Sequence, residues 1–368
     1  MFEKVKELKD SVQHTVHKYK KWEPFVFFVC GFCFDAFLLH RIDDPLMLVH
    51  QAIYLTLSAL IIAWDLFIDA GKGTIPTWLQ KLWRYREGIL HFLLGTLLNV
   101  YTIFYFKSGS FVSSLSFLII LALLLFLNEV RPSGIPKTFF RNSLFALCLI
   151  SYMNILVSIL IGSIGAIVFM IAIAVAYLIH SIFVRFLKSR LEAHHIRRDI
   201  RMPFIGVAAL YTLLYALKVL PPVPLSVKYV GIYHHISKSG EKYKLGYTRS
   251  KWRFWENGDE TFIAKPGEKI YCFIQIFSPS RFKEQLSVRW QFKDPKHGWQ
   301  KRDAIALNVV DGREEGYRGY TSKSNYEPGE WRVSIETQDG REVGRIGLEV
   351  IVADPSNTEE VELQYDER

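Results

Sequence analysis

Seven apolar runs, near 24–40, 46–68, 88–106, 111–128, 144–160, 164–184 and 204–220, constrain this chain more than any other feature. A hydrocarbon core about 30 Å thick takes roughly 20 residues of helix, and several of the runs reach that length. The first, fifth and seventh are shorter, so they must stand upright or thin the bilayer around them. Links as short as H-R-I-D-D-P, K-S-G-S and G-S-I-G join alternate pairs, which must be helical hairpins. The expectation over 24–220 is an α-helical polytopic membrane domain of about seven transmembrane helices.

Lysine and arginine crowd into segments 1–23, 69–87, 129–143 and 185–203, whereas the opposite links hold only Arg41 and Lys107. The excess of positive charge on cytoplasmic loops places the N-terminus and the long loops inside the cell. An odd number of spans then delivers residue 225 to the far side. Were one short run re-entrant, the count would be even and the C-terminal domain would stay cytoplasmic. From residue 225 onward acidic and basic residues balance, so the formal net charge of +9 belongs to the membrane part. A basic excess confined to loops is a topology signal, which sets nucleic acid aside as a partner. Within 1–23, Val5, Leu8, Val12, Val16 and Tyr19 recur at helical spacing. That pattern suits an amphipathic cytoplasmic helix on the membrane, with a solvated tail as the alternative, and the charged leader is too long for a secretory signal.

After P-P-V-P at 221–224 the period changes to two. Leu286, Val288, Trp290 and Phe292 alternate with polar residues, as do Trp331, Val333 and Ile335, the mark of half-buried antiparallel strands. Asp339-Gly340 between the last runs predicts a two-residue hairpin turn. Further strands are expected near 227–235, 269–278, 302–310 and 317–322. Seven or so short strands over 225–353 predict an all-β sandwich of immunoglobulin-like type, followed by an acidic disordered tail over 354–368.

The stretch G-Y-R-G-Y-T-S-K-S-N-Y-E-P-G-E-W-R-V-S-I-E-T-Q-D-G-R-E-V-G-R-I-G-L-E-V, from Gly316 to Val350, with Arg289-Trp290 before it, resembles the bacterial DUF2914 domain. That family's pattern ends in a G-x-W-R-V strand, a D-G turn and a closing G-x-x-x-F/L-x-V strand. Leu348 stands where the family tends to carry Phe. The resemblance covers about the last 100 residues, implies a bacterial envelope setting and supplies no catalytic residue, because the family's function is unknown.

Candidate chemistry is sparse. Cys30 and Cys33 have the spacing of a redox pair but fall inside the first apolar run, where a desolvated thiol is inert, and Cys148 and Cys272 are single. Ionisable groups at membrane depth are costly and point to function. Asp35 is the deepest, and Asp65, His91, Glu129 and His180 belong at the cytoplasmic ends of their spans, as a proton or cation relay, a metal site, or ordinarily solvated helix ends. Asn99 and Asn154 suit interhelical hydrogen bonds. Arg197, Arg198 and Arg201, with His194 and His195, form a basic patch suited to topology anchoring or to lipid head groups. In the β domain, Trp252, Trp255, Trp299, Tyr317 and Tyr320 exceed what one core needs and sit among Lys and Arg. They suit a partner protein or a glycan, or, for Trp252 and Trp255, the lipid interface. No phosphate loop, nucleophile elbow or zinc-ligand spacing is present, so no cofactor or metal is expected.

Three functions stay open on these grounds. The leading one is a non-enzymatic inner-membrane binding, scaffold or sensor protein whose periplasmic sandwich captures another envelope protein, a glycan or a lipid. The others are a proton- or ion-coupled transporter or channel using Asp35 and the inner-half acidic and histidine groups, and a membrane enzyme acting on a lipid-linked substrate. Oligomerisation is compatible with all three.

Overall fold

The computed structural model describes residues 41–130, 136–240, 242–250, 252–253, 255–279, 282–310, 316–352 and 363–368. The expected helix over 1–23, the first apolar run, Cys30, Cys33 and Asp35 lie outside the described residues, as does the side chain of Glu129.

Helix α1 (Pro45–Asp69) starts where Asp44 accepts a hydrogen bond from the Leu46 amide at 3.0 Å and Pro45 occupies a position that needs no donor. After a 3-10 turn (Thr77–Leu79) and a short α2 (Gln80–Trp83), the chain forms α3 (Arg86–Ser108), α4 (Phe111–Val130), α5 (Lys137–Ile161) and α6 (Ala166–Lys188). Then α7 (Ala193–Ile196), a π-helical segment (Arg197–Arg201) and α8 (Met202–Ala216) follow without a break.

Among the described residues, α1, α3, α5 and α6 are long and apolar enough to cross a membrane. The first of the seven expected spans lies outside the described residues, and four of the other six reach that length. The apolar part described in α4 is the shorter Ser114–Leu124, and the fifteen residues of α8 reach only about 22 Å. The final apolar run does not stay helical to 220, because Lys218 turns to φ +59° and releases the chain. Conversely, α5 is not the short helix expected from 144–160. It begins at Lys137, since Arg141 and Asn142 are buried with partners: Arg141 donates to Asp65 at 2.7 Å and Asn142 to the Asp199 carbonyl at 2.8 Å. Helix α5 packs against α1, α3, α6 and α8 and is the centre of the bundle.

Among the described residues, the C-terminal region holds eleven strands: β1 (Ser226–Tyr233), β2 (His235–Ser239), β3 (Lys242–Tyr247), β4 (Thr261–Ala264), β5 (Ile270–Phe277), β6 (Lys283–Asp294), β7 (Gly298–Val310), β8 (Tyr317–Lys323), β9 (Gly329–Glu336), β10 (Glu342–Val352) and β11 (Gln364–Glu367). A five-stranded sheet in the order β4-β10-β9-β6-β7 and a three-stranded sheet β1-β5-β8 share one apolar core, built around the fully buried Trp290 with Trp331, Ile274 and Val288. Pairing is antiparallel except between β4 and β10.

A third sheet, β11-β3-β2, is a departure from the two-layer expectation. Val230, Ile232, Cys272 and Ile274 face the shared core, while Tyr233 and Phe273, one residue out of phase, pack with Ile236, Leu245 and Tyr247 of the third sheet. The central sheet is thus covered on both faces. The tail is also corrected at its end, because residues 364–367 pair with β3 instead of remaining disordered.

The β9–β10 turn differs in detail. Thr337 and Arg341 close it through Thr337 N–H to the Arg341 carbonyl at 2.9 Å, leaving three residues in the loop and Gly340 left-handed at φ +78°. Three-residue hairpins end on such a left-handed position, for which glycine pays no Cβ penalty.

The β region rests on one end of the helical bundle, formed by 41–44, 107–110, 161–165 and 217–225. Lys283 N–H donates to the Gly162 carbonyl at 3.0 Å across this junction. Each side lends the other a core residue: Ile164, from the α5–α6 link, is buried in the sandwich core, and Phe277, from the end of β5, in the helical core.

Candidate functional site

The candidate residues fall in four places. At the bundle end remote from the β region, Asp65 is 7% exposed and accepts from Arg86 Nε at 2.6 Å and from Arg141 at 2.7 Å. A buried carboxylate needs such partners, and two guanidiniums occupy both of its oxygens. This is not the solvated helix end expected for it. His180 is also buried, stacked on Phe204 with ring centroids 4.1 Å apart, while His91 is half-buried on α3. No group of three His, Cys, Asp or Glu among the described residues could hold a metal ion. Asn154 bonds across helices to the Tyr105 hydroxyl at 3.3 Å, and Ser151 to that of Tyr211 at 2.5 Å.

On the same end, Ile196 and Ile200 anchor the π-helical segment while Arg197, Arg198 and Arg201 are exposed. The wider π turn continues the helix through the basic segment with its isoleucines inward and arginines outward. Arg198 also pairs with Asp199 at 2.9 Å.

The junction holds groups that sequence reasoning passed over. Tyr215 of α8 donates to Asp339 at 2.6 Å, Arg341 donates to the same carboxylate at 2.9 Å, and the Arg341 guanidinium lies 4.6 Å from the Tyr215 ring centre. Thr337 donates to Asp339 as well. Burial alone would raise the Asp339 carboxyl, but the Arg341 charge and these hydrogen bonds hold it below the usual carboxylate range. Nearby, Glu284 accepts from the Ile164 amide at 3.2 Å and from Ser163 at 3.1 Å, and burial pushes its carboxyl up. The D-G turn was visible in the sequence, but that its aspartate would reach a helix was not.

The aromatic candidates separate. Tyr317 packs on the sandwich core, Tyr320 lies against Tyr243 and Tyr271, and Trp299 is bracketed by Arg332 at 4.3 Å and Lys293 at 5.9 Å. Trp252 and Trp255 come together, 68% and 58% exposed, with rings 5.4 Å apart edge to face. Their loop between β3 and β4 is fastened at both ends. Asp259 accepts from the amides of Thr248 at 2.8 Å and Arg249 at 2.7 Å, and Gly258 sits so close to Ile232 that a Cβ would lie 1.9 Å from its carbonyl. His234 backs the anchor, 3.4 Å from Asp259 and 2.8 Å from Glu268. Burial raises the Asp259 carboxyl, whereas for Glu268 burial is outweighed by the His234 hydrogen bond, the Lys265 amide and the charges of both residues together, and that carboxyl is lowered. Ile232 lies six residues along β1 from the helix-facing Ser226, about 20 Å at the rise of a strand. The tryptophan pair therefore hangs from a point remote from the helix ends.

Fold and site together define a protein with candidate membrane helices followed by a layered β region that presents a paired-tryptophan loop away from the bundle. Residues 283–350, spanning β6 to β10, match the family described as "Protein of unknown function (DUF2914)". No curated relative matches the chain at a significant level. An immunoglobulin-like protein from Pseudomonas aeruginosa is similar at 14% identity over 35% of this chain and 98% of its own, with a TM-score of 0.21. A β-glucosidase from Listeria innocua in complex with glucose is similar at 18% identity over 24% of this chain and 15% of its own, with a TM-score of 0.20. The alkylpurine DNA glycosylase AlkC of Pseudomonas fluorescens matches at 11% identity over 84% and 98%, with a TM-score of 0.23. Likenesses this weak carry no argument about this chain.

Proposed function

We propose that this is a bacterial inner-membrane protein of about seven spans whose immunoglobulin-like β domain faces the periplasm and captures an envelope partner, acting as a binding, scaffold or sensor protein and not as an enzyme. One observation carries the reading: the β domain stands on the helix ends that bear Arg41, Lys107 and Lys218, while the larger group of Lys72, Lys81, Arg84, Arg185, Lys188, Arg190, Arg197, Arg198 and Arg201 gathers toward the other end. Positive charge favours the cytoplasmic face, so this arrangement supports a periplasmic β domain without appeal to whether the number of spans is odd. Capture is assigned to Trp252 and Trp255, because two exposed indoles on a fastened loop offer large apolar area at little entropic cost.

The test is photo-crosslinking in living cells from a reactive residue at Trp255, comparing the parent with Trp252→Ala. A discrete adduct that Trp252→Ala removes supports the reading; crosslinks to lipid alone would refute it. Ion- or proton-coupled transport gains no support from Asp65, whose oxygens are both taken by guanidiniums.

A further inference from the structure

We infer that the link between α1 and α3 is an interfacial anchor whose partner is the head-group layer of an anionic lipid bilayer. Helix α1 ends at Asp69 and α3 begins at Arg86, and both are long and apolar enough to cross a membrane. Arg86 Nε bonds to Asp65 at 2.6 Å, which sets the two helix ends side by side. The 3-10 turn and α2 between them, Thr77–Leu79 and Gln80–Trp83, therefore lie at the depth where hydrocarbon gives way to head groups.

The link has two faces, set by positions three and four apart. Leu79, Trp83 and Arg86 are half-buried against the bundle. Arg86 fastens that face, donating to the Trp83 carbonyl at 3.5 Å with its guanidinium 5.7 Å from the Trp83 ring centre. Trp78, Leu82 and Tyr85 repeat the same spacing on another side and are 79%, 56% and 66% exposed. Two aromatic rings flanking a leucine, held outward at this depth, have the composition of the belt that proteins place at a membrane surface.

The charges select the lipid. Lys72, Lys81 and Arg84 are exposed, and their cationic groups have no ion pair or hydrogen bond among the described residues. The neighbouring carboxylates are already held, Asp65 by Arg86 and Arg141 and Glu87 by Lys137, which leaves Asp69 against three cations. Free cations beside an exposed apolar face are what an amphipathic element offers to anionic head groups. This rests on α1 and α3 crossing a bilayer, not on capture by Trp252 and Trp255, nor on the side where the β domain stands.

The experiment places the photoreactive residue p-benzoylphenylalanine at Trp78 of the full chain, in nanodiscs mixing phosphatidylcholine with phosphatidylglycerol of matched acyl chains, and identifies the adducts by mass spectrometry. Lipid adducts should form there and from the same residue at Ile53, on the exposed side of α1, but not at Ser324 in the β domain. Phosphatidylglycerol should be enriched in the Trp78 adducts roughly fivefold over its share of the bilayer, and Lys72→Gln/Lys81→Gln/Arg84→Gln should return it to that share. Lys72→Arg/Lys81→Arg should keep the enrichment, which separates lost charge from altered shape. Lipid adducts at Ile53 with none at Trp78 would overturn the anchor. Enrichment unchanged by the triple Gln variant would overturn the anionic assignment, and protein adducts in place of lipid at Trp78 in native membranes would give the face to a protein partner instead. Absence of lipid adducts at both Trp78 and Ile53 would overturn the inference together with the membrane reading beneath it.

Discussion

Tyr215, at the end of the last helix, donates a hydrogen bond of 2.6 Å to Asp339 in the turn between the two strands that close the β domain. The partners are far apart in sequence, and Arg341 completes the arrangement by donating to the same carboxylate while lying over the tyrosine ring. The β domain is thereby joined to the helices by a charge-assisted contact, beyond the covalent linker at 221–225.

Removing either partner loosens the junction. Tyr215→Phe should cost about 1 to 2 kcal/mol and Asp339→Asn somewhat more, because Arg341 then loses its carboxylate. A double-mutant cycle on thermal unfolding in detergent should show a coupling of roughly 1 kcal/mol between the two. Additive effects would mean that the contact contributes nothing of its own.

The two junction carboxylates respond to pH in opposite senses. Asp339 is held below its ordinary value, so its contribution is present above the usual carboxylate range near pH 4 and is lost as pH falls through the lowered value. Glu284 is raised by burial, so its contribution is full below that range and declines as pH rises through the raised value. Glu284→Gln should therefore flatten the dependence of the unfolding midpoint on pH above the usual carboxylate range. Asp339→Asn should flatten it only below about pH 4.

Exchange of core residues across the junction sets a second energetic tie. Ile164 is buried in the sandwich core although it belongs to a helix link. Ile164→Ala should cost about 2 to 4 kcal/mol and increase hydrogen exchange both in residues 161–165 and at the start of β6. A change confined to the helices would show that the two cores do not share this residue.

At the opposite end, Asp65→Asn leaves the buried Arg141 and the half-buried Arg86 without their anion. The expected cost is about 3 to 5 kcal/mol, seen as a lower unfolding midpoint and reduced membrane yield. Arg86→Gln should cost less, because Arg86 is the more exposed of the two arginines and Arg141 remains on the carboxylate.

The strongly periodic parts of this architecture were legible in the sequence. The runs at 46–68, 88–106 and 164–184 became helices with nearly those limits, and the alternation at Leu286–Phe292 and Trp331–Ile335 marked strands whose tryptophans fill the core. Helix α5 was underestimated because Arg141 and Asn142 look like loop residues until Asp65 and Asp199 are seen beside them. The third sheet left a signal that went unread: I-Y-C-F-I-Q-I-F in β5 is nearly continuously apolar, as a strand covered on both faces must be. The junction contacts left no local signal. Glu284 with Ser163, and Tyr215 with Asp339, join residues more than a hundred positions apart, which no period or motif records.

The central claim concerns the side of the membrane on which the β domain stands, and accessibility of engineered cysteines in intact cells tests it most directly. Ser324 is exposed in the loop after β8, and Arg197 is exposed in the π-helical segment at the far end of the bundle. A membrane-impermeant maleimide should label Ser324→Cys in intact cells above the background of the native thiols, and Arg197→Cys only after the membrane is permeabilised. The reverse pattern would place the β domain in the cytoplasm and contradict the account.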